Sequence, residues 1–105
     1  MTEAGVPSLL QWIDPLNDLA RLRVLRVLNR HELGVGELAT ALQLPQSTVS
    51  RHLKRLLDAG WITRRSRGTA ALYRMAGVDS DPTARTLWEL TKASLETLAE
   101  CRGDD

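Results

Sequence analysis

Between Pro45 and Gly60 the chain reads PQSTVSRHLKRLLDAG, and at roughly 100° per residue this stretch separates into two chemistries on one helical cylinder. Val49, Leu53, Leu56 and Leu57 fall on one side. The opposite side collects Ser47, Arg51, Lys54 and Arg55, flanked by Thr48 and Ser50, with no acid before Asp58. A helix face that only meets water usually mixes Glu with Lys for pairing at four-residue spacing. This one offers short hydroxyls, which let a helix approach a wall closely, and arginines, which fork onto two acceptors at once. The chemistry is recognition of an acceptor-rich anion rather than bond making.

The same sign continues downstream in Arg64, Arg65, Arg67 and Arg74. Residues 51–74 hold seven arginines and lysines against one aspartate, whereas residues 75–105 hold three bases against seven acids, so the formal net charge of +1 hides a lopsided chain. Crowded cations repel unless an anion meets them, and the phosphate backbone of nucleic acid is the usual anion for an arginine block of this density. Gln46, Ser47, Thr48, Ser50, Arg51, His52 and Lys54 are therefore expected to face bases and phosphates of double-stranded DNA, with Arg51 suited to a guanine edge and Gln46 to adenine or a phosphate. Arg55 and the arginines at 64, 65, 67 and 74 are expected to hold the backbone. His52 fits either the DNA side or helix packing.

Several elements must position this face. Leu9, Trp12, Ile13 and Leu16 recur at helical spacing in a short first helix that Ser8 is suited to cap and Pro15 to break. From Asp18, the residues Leu19, Leu22, Val24 or Leu25, and Leu28 form an apolar stripe, while Arg21, Arg23, Arg26 and Arg30 point elsewhere. A short helix follows over Val35 to Leu42, with Ala39 at a tight crossing, then the turn Gln43-Leu44-Pro45, then the helix from Gln46 to Ala59, closed by Gly60 as a left-handed cap. Residues 61–65 and 70–75 read as strands joined by Ser66-Arg67-Gly68-Thr69, with Trp61 and Tyr73 packing on the helices. Asp81 caps and Pro82 opens a last helix whose Leu87, Trp88, Leu90, Leu95 and Leu98 cover a wide apolar arc. The expected fold is mainly α with a β-hairpin wing. Residues 1–105 form a single domain with N-terminal helices at 8–30, a helix-turn-helix at 35–59, the wing at 61–75 and the last helix at 82–101.

Other functions lack their residues. There is no glycine-rich phosphate loop and no serine or cysteine set beside base partners, so no enzyme and no cofactor is expected. His31 and His52 have no Cys, Asp or Glu at ligand spacing, so no metal is expected either. The single cysteine, Cys101, leaves no disulfide framework, and a redox or ligand sensor built on it near a terminus is weakly supported. No apolar run reaches the length of a membrane span and no signal-peptide pattern opens the chain, which predicts a cytoplasmic protein.

Taken together, LARLRVLRVL, ELGVGELATALQLPQSTVSRHLKRLLDAGWI and GTAALYRM resemble the ArsR family of winged helix-turn-helix repressors over about residues 9 to 100. The resemblance implies a homodimeric regulator that binds a palindromic operator, with the Gln46–Ala59 helix in the major groove. It implies a dimer interface made by the first and last helices through Leu9, Trp12, Ile13, Leu87, Trp88, Leu90, Leu95 and Leu98. In metal-sensing members the positions held here by Gly34 and Gly36 are cysteines, and the last helix carries His and carboxylate pairs that this chain lacks, so neither metal site is expected. The two glycines are expected instead to let the chain turn sharply into the helix that Glu37 favours. Leu19 and Gln43 depart from a usual proline and a frequent turn glycine of the family. WIDPLNDLARLRVL, LPQSTVSRHLK and ARTLWEL are also similar to the ArsR-type domain that precedes a methyltransferase domain in some proteins. A rival reading is therefore a winged-helix protein-interaction or dimerisation module, the N-terminal part of a larger chain.

Overall fold

A computed structural model describes the fold of residues 5–102 and the side chains of residues 9–97. Helix α1 (Gly5–Ile13) runs into a 3-10 turn at Asp14–Leu16, followed by α2 (Leu19–Leu28), α3 (Val35–Leu42) and α4 (Gln46–Ala59). The antiparallel strands β1 (Ile62–Arg67) and β2 (Ala70–Met75) come next, then the single turn α5 (Gly77–Ser80) and the long α6 (Pro82–Arg102). The combination of α3, turn, α4 and hairpin is a winged helix-turn-helix, as the sequence leads one to expect.

Local chemistry explains most boundaries. Pro15 lacks an amide hydrogen and leaves the chain in the tighter 3-10 turn rather than a continued α1. Asp18 accepts from the Arg21 amide at 3.1 Å and so starts α2. Asp81 accepts from the Thr83 amide at 2.8 Å ahead of Pro82 and starts α6. Gly60 takes φ 93, the left-handed conformation that ends α4.

Three expectations are corrected, and one element is new. Ser8 lies inside α1, which begins at Gly5, and so does not cap it. β1 extends to Arg67, leaving Gly68 and Thr69 as a two-residue turn with Gly68 at φ 62. The one-turn α5 is too short to show a helical period in sequence. Gly34 has φ −90 and ψ 175, extended backbone open to any residue, so it is not required for a sharp turn. Its role is closeness: a Cβ there would stand 3.2 Å from the Ala71 carbonyl oxygen of β2. Gly36 lies inside α3 with no positive φ.

The core gathers one face from every helix. Val24 and Leu25 of α2, Leu38 of α3, Val49, Leu53 and Leu56 of α4, and Ala84 of α6 are buried to within a few per cent, with Trp61 at the root of the wing. Trp61 meets Trp12 edge to face at 5.1 Å between ring centroids, and its indole N–H donates to the Trp12 carbonyl at 3.0 Å. Gln11 Nε2 donates to the Ala59 carbonyl at 3.1 Å, so α1 is tied to the end of α4 by polar bonds as well as by packing. The wing is fastened twice: at its root by Ile62 and Met75, both buried, and along β2 by a bridge between Leu33 and Tyr73, with N–H···O distances of 3.1 and 2.8 Å. Tyr73 is half-buried against the core. No helix among the described residues is long and apolar enough to cross a membrane.

Candidate nucleic-acid interface

The amphipathic split read from PQSTVSRHLKRLLDAG is realised on α4. Its apolar side closes the core, and Ser47, Ser50, Arg51, Lys54 and Arg55 are exposed on the outer side, with Thr48 half-buried between the two; Gln46 is exposed in the first turn, its Nε2 3.5 Å from where a Cβ on Gly36 of α3 would stand. The acid at the far end of that face, Asp58, is met by Lys54 at 3.1 Å one helical turn earlier. From Ser47 through Arg55 the outer face carries hydroxyls and cations, with its nearest carboxylate partly answered.

His52 stands apart from this group. It is only 6% exposed and lies on the core side of α4, which corrects its expected placement against DNA. Arg21 of α2 brings its Nη1 within 3.5 Å of His52 Nδ1, donates through Nε to the Pro15 carbonyl at 2.6 Å, and sits 3.8 Å from Asp18. Arginine offers only donors, so this geometry suits a neutral His52 with Nδ1 as acceptor and the proton on Nε2. Burial pushes the His52 pKa below its ordinary value; Asp18 opposes that shift, and Arg21 and Arg51 reinforce it. Asp18 itself is raised by partial burial but ends below the usual carboxylate range, because the Arg21 amide, the His52 and Arg21 charges and the Ala20 amide favour its ionised form. Arg21 thus acts as a strut between α2 and α4 rather than a surface cation. Arg23 does similar work, donating from Nη2 to the Leu42 carbonyl at the end of α3 at 3.3 Å.

All four wing arginines are exposed, but they do not share one face. Arg65 pairs with Leu72, Arg67 with Ala70 and Arg74 with Thr63, whereas Arg64 pairs with Tyr73 and lies on the side that carries Ile62 and Met75. Three arginines therefore line the outward face of the hairpin and Arg64 borders the helices. Glu32, in the loop before α3, binds Arg65 through two bonds, Nε to Oε2 at 2.6 Å and Nη2 to Oε1 at 2.9 Å. The Arg65 fork holds the Glu32 carboxyl below the usual carboxylate range, and in turn Arg65 is raised. Sequence reading missed Glu32, because nothing local signals a partner 33 residues away.

The apolar residues assigned to an interface on α1 and α6 also divide. Leu9, Ile13 and Leu90 are exposed, Leu90 by 66%, and Leu87 is partly buried. Trp12, Trp88 and Leu95 are buried in the chain's own core and do not present themselves to a second copy, which corrects that expectation. Leu10 is exposed on α1 and was not foreseen. The Leu98 side chain and Cys101 lie outside the described side chains. Among the described residues no group of three or more His, Cys, Asp or Glu is gathered as for a metal ion.

Residues 18–64 match the model of the family described as bacterial regulatory protein, arsR family. The transcriptional activator HlyU of Vibrio cholerae is 36% identical over 59 residues, 56% of this chain and 55% of that protein. The HTH-type transcriptional repressor SmtB of Mycobacterium tuberculosis is 41% identical over 56 residues, 53% of this chain and 42% of that protein. The aligned part of the chain spans about half the length of these curated relatives. Among solved structures, a homodimeric winged helix-turn-helix DNA-binding domain from Mycobacterium bovis, a possible ArsR-family transcriptional regulator, aligns with a TM-score of 0.75 at 29% identity, covering 92% of this chain and 87% of that one.

Proposed function

Because residues 18–64 match the arsR-family model and fold as a winged helix-turn-helix, we propose that the protein is a sequence-specific DNA-binding transcriptional regulator, a repressor acting as a homodimer on a palindromic operator. Helix α4 enters the major groove. Arg51 and Gln46 read base edges, Ser47, Thr48, Ser50 and Lys54 seat the helix on bases and phosphates, and Arg55 with the wing arginines grips the flanking backbone. Leu9, Leu10, Ile13 and Leu90, with Leu87, form the surface that joins two copies. No metal or catalytic step enters this reading, since glycines stand where the family's thiolates would be.

The observation that carries the proposal is the outer face of α4: from Ser47 to Arg55 every outward residue is a hydroxyl or a cation, next to a wing of exposed arginines. A surface so one-sided concentrates positive potential and is well matched to a polyanion in a groove. The test is selection of bound fragments from random duplex DNA, followed by a salt titration of the best site. A symmetric consensus is expected, with affinity falling by about 0.9 logarithmic units per phosphate neutralised for each decade of salt. Recovery of unenriched sequences, or binding indifferent to salt, would remove the proposal and favour a protein-docking role.

A further inference from the structure

The pairing of Leu33 with Tyr73 draws the loop before α3 along β2 like a short third strand, and Glu32 rides at its end. Its carboxylate takes both donors of the Arg65 fork. The charges of Arg74 and Arg67, the two other arginines on the outward face of the wing, also favour its ionised form. One anion therefore already sits among three of the wing cations that the proposed function assigns to the DNA backbone. The pair is open to water, with the Arg65 side chain 58% and the Glu32 side chain 27% exposed. The pair is thus within reach of an incoming anion, which must break both bonds of the fork to take its place.

We propose that the Glu32 carboxylate occupies, in the free protein, the seat of a backbone phosphate on the wing, and so acts as an internal competitor that sets the affinity and salt dependence of DNA binding. This rests on the DNA-binding reading above. A guanidinium edge fits a carboxylate and a phosphate in the same two-bond way, so Arg65 serves one of them fully at a time. A phosphate arriving at Arg65 must displace Glu32 and then lie beside its negative charge. Glu32 thereby lowers affinity for every sequence alike and leaves base readout by α4 untouched.

The test uses the full chain and a fluorescently labelled random-sequence duplex of about three helical turns, with binding followed by anisotropy across a salt series. Glu32→Gln keeps the side chain's size and one acceptor for Arg65 while removing the charge. It is expected to bind about three- to tenfold more tightly at about 0.1 M salt, with a salt slope steeper by about one unit. In an Arg65→Ala background the same change is expected to give a smaller gain. Glu89→Gln on α6, which alters net charge equally, is expected to bind like the wild type. Melting curves establish that each variant is folded. Equal or weaker binding by Glu32→Gln, with the wild type binding normally, means that Glu32 only braces the wing and overturns this inference alone. A wild type that fails to bind the duplex even at low salt overturns the DNA-binding reading together with it.

Discussion

Two neighbours on α4, Arg51 and His52, differ by one residue step of about 100° and by their entire environment. Arg51 is exposed at the middle of the outer face, and replacing it with alanine is expected to cost about 1 to 3 kcal/mol of operator binding and to relax specificity at one base position. Arg67→Ala is expected to weaken all sequences alike and flatten the salt slope. Equal operator preference in the Arg51 variant, measured by competition between cognate and random duplexes, would contradict the assignment. His52 makes a different prediction. Its pKa is lowered in the folded protein, so the unfolded chain binds more protons across the window between the two values. The stability that follows from a neutral His52 is present above the ordinary histidine value of about 6.5 and is lost as pH falls through the lowered folded value. The groups around it are Asp18 and Arg21 on the α2 side and Arg51 on its own helix. The melting temperature is expected to fall more steeply below about pH 6.5 in the wild type than in His52→Gln. Parallel pH profiles would show that His52 does not drive the loss.

At the scale of elements, the turn between α3 and α4 holds the one non-glycine residue with positive φ among the described residues. Gln43 sits at φ 58 and ψ 47, with its amide and that of Leu44 closing the end of α3. Its side chain is exposed and performs no packing that explains the choice. A left-handed residue with a Cβ costs on the order of 1 kcal/mol. Gln43→Gly is therefore expected to stabilise the domain by somewhat less than 1 kcal/mol, because the freer unfolded chain offsets part of the relief. Denaturant unfolding reads this directly, and a loss of stability would mean that the glutamine side chain has a role in the turn. That this turn lacks a glycine is visible in sequence, whereas its conformation is set by the way α3 and α4 must cross over Leu38, Leu42 and Val49.

For the whole molecule, the question is what covers the leucines that the core leaves outside. Leu9, Leu10 and Ile13 on α1 and Leu90 on α6 are exposed, and these two helices pack against each other. Leu90→Glu is expected to shift the proposed dimer towards monomer by at least tenfold in dissociation constant, read by sedimentation equilibrium, while the melting curve of the monomer stays close to the wild type. Wild-type monomers at high concentration would remove the homodimer from the functional proposal. Leu95→Ala is the contrasting change: it opens a cavity in the core and is expected to cost about 2 to 5 kcal/mol of stability, with its effect on assembly secondary.

Periodicity and end signals made every helix but α5, the hairpin and the split face of α4 legible, because each depends on residues within one or two turns of one another. Asp18, Gly60, Gly68 and Asp81 carry their structural meaning in their own side chains or lack of one. Even the burial of His52 had a local sign: at 100° per residue it stands about 60° from Val49, between Leu56 and Ala59 on the wheel. What tertiary structure alone decided was the fate of long polar and aromatic side chains. Arg21, Arg23 and Arg65 look alike in sequence, yet two became struts between helices and one is held by a carboxylate from a distant loop. Trp12, Trp88 and Leu95 became core while Leu90 did not. A long side chain's partner is chosen by whichever group the fold brings within 3 to 4 Å, and that proximity is a property of chain crossing that no local pattern contains.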